Sequence, residues 1–206
     1  MKAWSNFLKD VLVHVPGCPE PVAEHALLRA AQEFFETTRV WKLWLDDILT
    51  VATITEYEMS LEPKSELVRL ERATLAGRPI RVRSEDELPD DWRTYTGGIL
   101  DGVHTSDRKN LVLLPAQLTG LALKVEVSLK PSNAATGVED RIFDLYVRQI
   151  AAGAVAELKA HTEKTYSDGN GAGVWRGRFE EHMGATDIQR FRGFSSARPR
   201  RPVKTF

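Results

Sequence analysis

Five histidines, one cysteine and two polar loops hold the residue types in this 206-residue chain that could do chemistry. His14, His25, His104, His161 and His182 are dispersed, and none stands in the H-E-x-x-H or comparable spacing that turns two imidazoles toward one metal. They read as surface or helix-face histidines. Cys18, in VPGCPEP, has no second cysteine to pair with, so neither an internal disulfide nor a cysteine-built zinc site can form. Beside a helix start it reads as a small apolar group, partly buried. Asp168-Gly169-Asn170-Gly171-Ala172-Gly173 begins like a calcium loop, but Ala172 offers no side-chain oxygen and Phe179 stands where a bidentate glutamate is needed. No strand precedes these glycines and no G-K-[ST] follows, so they read as a flexible interhelical turn. The run Glu85-Asp86-Glu87-Leu88-Pro89-Asp90-Asp91 would collect a cation only if its carboxylates converged, and contiguous acids in a loop rarely do. It reads as a solvated loop, or as a face toward a basic partner. There is no G-x-S-x-G and no oriented Cys/His pair. The expectation is a protein that is not an enzyme, with no catalytic residue, no cofactor and no metal.

What remains is electrostatic. From Arg190 to Phe206 the chain holds six Lys/Arg and no Asp or Glu. Of 28 basic residues, 22 are left for residues 1–189 against all 29 acidic ones, so the body carries −7 where the whole chain carries −1. A mildly acidic body and a strongly basic tail point to two electrostatic tasks. The tail has Pro199 and Pro202 and too little apolar content to order itself, which predicts a segment disordered in the free subunit and meant to touch something else.

These features need elements to carry them. Trp4, Phe7, Leu8, Val11, Leu12 and Val15 have helical spacing and stop at Pro16-Gly17. A second helix starts at Pro19-Glu20-Pro21 and runs to about residue 43, with Ala23, Ala26, Leu27, Ala30, Ala31, Phe34, Thr38 and Trp41 in one stripe. Trp41 and Trp44 at its end are read as caps on the core. The period then falls to two. Leu49, Val51, Thr53, Thr55, Tyr57, Met59 and Leu61 alternate as in a strand, and Leu121, Leu123, Val125, Val127 and Leu129 alternate over one wet face. Shorter strands fit 67–75, 80–82 and 111–114. The helical period returns from Val138 to about His161, where Gly153 implies a close helix contact, and again near 172–190 with Trp175, Phe179 and Met183. The predicted fold class is α+β: about four helices in a bundle (1–47 and 131–190), an inserted antiparallel β-sandwich (48–130) and an extended basic tail (191–206). No run of about 18 apolar residues suggests a membrane span, and MKAWSNFLKDVLVHV does not read as a signal peptide.

VLVHVPGCPEPVAEHALLRAAQEFFETTRVW resembles the opening of tailed-phage head–tail connector proteins, the adaptor family that includes tail tubular protein A of short-tailed phages. The resemblance rests on Val15-Pro16-Gly17, Pro19, the alanine-rich helix from Ala26 to Ala31, Glu33-Phe34 and Trp41. Phe35 stands where the family often has cysteine, and Gly97-Gly98-Ile99 where it often has G-x-P. LVLLP at 111–115 and DRIFDLYVRQIAAGAVAELKA at 140–160, with Ile150, Ala151, Gly153, Ala154, Ala156 and Leu158, continue the match. The resemblance implies a structural virion protein at the head–tail interface, assembled in the host cytoplasm as a ring of about twelve copies. It implies the portal protein and a tail nozzle or tube protein as partners, with genomic DNA passing through the lumen without sequence-specific binding. It implies portal docking by the C-terminal tail: Arg198, Arg200, Arg201 and Lys204 against acidic grooves, with Phe191, Phe194 and Phe206 as apolar anchors. An alternative class is a nucleic-acid-binding protein whose tail contacts phosphates.

Overall fold

The structure, a computed structural model, describes residues 1–88 and 102–192. In chain order the elements are β1 (Lys2–Ala3), a 3-10 turn (Trp4–Phe7), α1 (Leu8–Leu12), α2 (Glu20–Thr38), β2 (Lys42–Trp44), β3 (Ile48–Leu49) and β4 (Glu56–Glu58). There follow β5 (Ser65–Leu75), β6 (Arg78–Ile80), a 3-10 turn (Glu85–Glu87), β7 (Gly102–His104), β8 (Asn110–Leu114), β9 (Ala122–Pro131), β10 (Gly137–Val138), α3 (Asp140–Ala160) and α4 (Gly169–Arg192). Four helices and antiparallel sheets make this an α+β protein, as the periodicities predict. The chain divides into two compact units, one from Met1–Val40 together with the chain from Asn133, the other Trp41–Ser132.

The helical unit is built on small residues. Pro19, in extended conformation, precedes α2, and Glu20 and Pro21 occupy its first turn, where an acid suits the dipole and a missing N–H costs little. Its buried face runs Ala23, Ala26, Leu27, Ala30, Ala31, Phe34, Phe35 and Thr38. On α3, Gly153 lies where α2 and α4 both come close. A Cβ there would stand 2.9 Å from the Phe179 ring and 3.0 Å from Ala30 Cβ, so only glycine fits. This is the helix contact that a glycine inside an apolar stripe implies. Phe34 packs edge-on to Phe35 and beside Tyr146 and Phe179, which fills the rest of the bundle interior. Trp4 is buried and its Nε1 donates to the Ala135 carbonyl at 2.8 Å.

Two helix ends differ from expectation. α2 stops at Thr38 rather than near residue 43, because Arg39 adopts the left-handed conformation (φ 50°) and closes the helix through its N–H to the Phe35 carbonyl. Residues 42–44 then find strand partners: Leu43 pairs with Val127 and Trp44 with Glu126, interactions that outweigh the helical spacing of Trp41. Trp41 packs against the β core, whereas Trp44 is exposed and caps nothing. At the other end α4 continues through Arg192, so Phe191 and Arg192 are helical rather than part of an extended tail.

The β-unit is two antiparallel sheets, β2-β9-β5-β6 with β3 also on β9, and β4-β8-β7, sharing one core of Leu67, Leu70, Leu111, Leu113, Val125, Val127 and their neighbours. Along β9 the inward residues Leu123, Val125, Val127 and Leu129 alternate as expected. Along β5 they recur every third residue, Leu67, Leu70 and Ala73, because register shifts between Leu67 and Arg69 and between Leu70 and Arg72 each insert one residue. The expected strand through 49–61 is broken. Thr53 has φ 74°, and the chain leaves β9 at Leu49 and joins β8 at Glu56, crossing from one sheet to the other. The wet face expected on β9 is also closed in its middle, since Glu126 and Ser128 are buried.

Candidate functional site

The tail predicted to dock on a partner leaves α4 at its last turn. Phe191 falls in that turn, and Phe194, Arg198, Arg200, Arg201, Lys204 and Phe206 lie outside the described residues. So do Pro89, Asp90 and Asp91 of the acidic run, Trp92, and Gly97, Gly98 and Ile99. What can be built upward is the end of the body from which the tail departs, and the charge balance of that body.

Arg190, the first of the six C-terminal cations, belongs to α4. Its Nη2 stands 2.7 Å from Asp187 Oδ1, its side chain is only 10% exposed, and it lines a small cavity of about 130 Å³ with Arg141, Tyr146, Thr186 and Gln189. Burial pushes the Tyr146 hydroxyl above its ordinary value, against the nearby Arg141 charge. Further along the bundle, Arg176 makes a bidentate pair with Glu33 (3.0 and 2.5 Å) and a third bond from Nε to Glu180 at 2.8 Å. Arg29 meets Glu157 at 3.1 Å. Arg29, Glu33, Glu157 and Arg176 edge a groove of about 460 Å³ that is also lined by Ala30, Gly153, Ala156 and Gly173. Its charges are matched within the unit, so it offers shape but no net electrostatic pull.

The Asp168 loop is a helix start. Asp168 Oδ1 accepts the Gly171 N–H at 2.9 Å and Oδ2 accepts from Lys159 Nζ at 3.0 Å, which together hold the carboxyl below the usual aspartate range. Cys18 is buried, and that burial pushes its thiol up, an effect its hydrogen bond to Tyr166 only partly offsets. His104 is neither on the surface nor on a helix: it is buried on β7, with Nδ1 3.4 Å from the Arg83 carbonyl. The His14 ring packs against Trp175 at 4.5 Å between centroids, tilted by 48°. Among the described residues no group of three or more His, Cys, Asp or Glu is placed to hold a metal ion, and no helix is long and apolar enough to cross a membrane.

In the β-unit the acidic run opens as an exposed 3-10 turn at Glu85–Glu87. Next to it, Arg69, Arg83 and Arg108 line one cavity of about 360 Å³ with Ser84, Thr105 and Glu87. Among the described lining residues three arginines stand against one glutamate, which gives the cavity a surplus of positive charge. On the other sheet face, Arg72 donates Nε and Nη2 to the two oxygens of Glu126 at 2.7 and 2.8 Å and lies over Trp44 at 5.3 Å. Arg72 holds the Glu126 carboxyl below its ordinary range, more than burial raises it.

No family model matches the chain, and no curated protein matches it.

Two surfaces escaped the sequence reading. One is the end of the β-unit at Leu49, Val51, Ile54 and Leu118, exposed by 63, 43, 43 and 76%. The other is the Trp175 face of α4. The signal for the first was present: residues 48–55 and 111–123 contain no charged side chain in a chain that is 28% charged. The second could not be read, since nothing in the spacing joins His14 to Trp175.

Proposed function

We propose that the chain is a structural adaptor of a phage virion, not an enzyme: a ring subunit that joins the portal vertex to the tail and docks on the portal through its basic C-terminal segment. The motif resemblance supports this reading, and one observation carries it beyond resemblance. Three arginines of the helical unit are matched by its own acids, Arg29 by Glu157, Arg176 by Glu33 and Glu180, Arg190 by Asp187. The segment after Arg192 holds four Lys/Arg and no acid at all. A cation with an internal partner gains little from a second one, whereas unmatched cations close together on one short segment attract an acidic surface. Arg198, Arg200, Arg201 and Lys204 are the charges for that contact, with Phe194 and Phe206 as anchors and Pro199 and Pro202 limiting the entropy lost on docking. Each tail is a weak contact; about twelve on one ring act together through effective concentration. The net −7 of residues 1–189 suits a wall along which DNA slides without adhering.

Light scattering of portal rings with the full chain, and with a chain lacking residues 193–206, tests this. Ring-stoichiometric addition of the full chain and none of the truncated one is expected. A truncated chain that adds equally well overturns the proposal. The arginine-lined cavity of Arg69, Arg83 and Arg108 favours a second reading, nucleic-acid binding, which predicts salt-dependent retention of the chain on DNA, weakened by Arg69→Ala and Arg108→Ala.

A further inference from the structure

The two halves of α4 are held in different ways. Up to Met183 the helix is tied across the bundle. Asp168 caps its start and meets Lys159 of α3, Arg176 reaches Glu33 of α2, and the fully buried Phe179 packs over Gly153 of α3. Beyond Met183 the ties thin out. Thr186 is buried and the Arg190 side chain is 10% exposed, while Ala185, Ile188 and Gln189 face solvent. One ion pair of Arg190, to Asp187, lies within the helix itself and moves with it. What docks these last turns on the bundle is Thr186 and the Arg190 side chain, in the cavity it lines with Val40, Arg141 and Tyr146. The neighbouring α3, by contrast, buries nine residues along its length.

Gly184 stands at the boundary. A Cβ added there would meet nothing within 4 Å, so no neighbour requires glycine, unlike at Gly153. What glycine does at such a position is weaken the helix, because its backbone loses more freedom on ordering than that of any other residue. Gly177, two turns earlier on the same face, is open in the same way. It lies between Arg176 and Phe179, however, where the ties to Glu33 and Gly153 hold the helix on both sides. At Gly184 everything that follows rests on two side chains. Few buried contacts and a solvent-facing helical backbone are the conditions under which part of a fold opens by itself.

We propose that α4 is hinged at Gly184 and latched by Arg190. Residues 184–192 unwind from the bundle as a unit, with Arg190 leaving its cavity, while the rest of the helical unit stays closed. Each of these residues rises about 1.5 Å in the helix and spans up to about 3.3 Å when extended, so opening lets the chain after Arg192 reach about 15 Å further from the bundle. This goes beyond the adaptor reading. It gives the basic segment an adjustable reach, and the opening itself does not depend on what that segment docks on.

Amide hydrogen exchange under native conditions, resolved residue by residue by NMR, tests it on the full chain and on Gly184→Ala, Gly177→Ala and Arg190→Ala. In the original chain the amides of 185–192 are expected to exchange at least tenfold faster than those of 176–183, with a step at Gly184. Gly184→Ala strengthens the closed form alone and should slow exchange of 185–192 about fivefold, the equivalent of about 1 kcal/mol. Gly177 is helical in the closed and the opened form, so Gly177→Ala should leave that exchange unchanged. Arg190→Ala removes the latch and should speed it about tenfold while 176–183 keep their rates. Should Arg190→Ala fail to fold, Arg190→Met keeps the apolar stem in the cavity and is expected to shift the same amides in the same direction. Rates that climb gradually to the helix end, with the two glycine variants acting alike, overturn the proposal and mark ordinary fraying. So do equal rates on both sides of Gly184, or arginine variants that leave 185–192 unchanged. No portal is present in the measurement, so its outcome and that of portal docking are independent.

Discussion

The two units solve the same problem with opposite materials. In the helical unit the closest approach is made by removing side chain: Gly153 lets Phe179 and Ala30 come within contact distance where any Cβ would collide. In the β-unit the sheet face is held by adding charge: Arg72 of β5 and Glu126 of β9 form a bidentate pair across strands whose inward side chains are leucine, valine and alanine. The first device tolerates no added atom, and the second tolerates no removed one. The difference also decides how each responds to solution conditions. Packing of apolar surface is nearly indifferent to pH, whereas a carboxylate held down by a guanidinium is not.

The strongest test of this contrast is at Gly153. Elsewhere in a helix, alanine in place of glycine would stabilise by about 1 kcal/mol. Here the added carbon falls 2.9 Å from a fully buried Phe179 ring, so the sign should reverse. Gly153→Leu should cost about 3 kcal/mol or more by overpacking, read as a lower denaturant midpoint with the slope unchanged. An alanine variant more stable than the original chain would show that α4 shifts freely and would break the comparison at its first term.

How far the sequence could be read follows the same division. The helices were legible because a 3.6 period with alanine stripes says both that a helix forms and which face it buries, and Gly153 even signals the close neighbour. The central strand β9 was legible from its strict alternation. The failures lie where tertiary partners override local spacing. Trp41 continues the α2 stripe in sequence but belongs to the β core, since Arg39 ends the helix and Leu43 pairs with Val127. β5 hides its register, because two bulges turn its inward period from two to three. The alternation from Leu49 to Leu61 looked like one strand and is a crossing between two sheets. Glu126 reads as a wet position and is buried, since the guanidinium that covers it comes from 54 residues away. The tail was legible as charge, and the tip around Leu118 was missed because an absence of charge is a weaker signal than its presence.

The next test addresses the charged device. Arg72→Ala removes the partner of a carboxylate that is 7% exposed. The cost should be about 2 kcal/mol, below the range for a fully buried pair because the Arg72 side chain is 67% exposed and solvent screens it. The double variant Arg72→Met with Glu126→Leu should regain most of that, since no charge is left without its partner. The pH dependence carries the sign. Glu126 is held below its ordinary range in the fold, so its contribution is present at neutral pH and is lost as pH falls through the carboxylate range. The gap between the original chain and Arg72→Ala should therefore narrow in acid. A gap that stays constant from neutral to acid pH would assign the pair's effect to packing on Trp44 instead.

The smallest expected effect is at Asp168, where the helical unit does rely on a charge. The carboxylate caps α4 through the Gly171 N–H and meets Lys159, both at the exposed start of a long helix. Asp168→Ala should lower the thermal midpoint by on the order of 3 °C, the loss of one cap in a domain of this size. Asp168→Asn keeps an oxygen that can accept from Gly171 and loses the ion pair, so it should fall between the two at neutral pH. The aspartate is held below its usual range in the fold, so its advantage over asparagine is present above the ordinary aspartate range and should disappear as pH falls through the folded value. If asparagine matches aspartate at every pH, the cap alone holds this end of α4 and the bundle makes no use of charge there. If alanine matches both, the helix start is held by the packing of α4 on α3, and small-residue packing alone accounts for the helical unit.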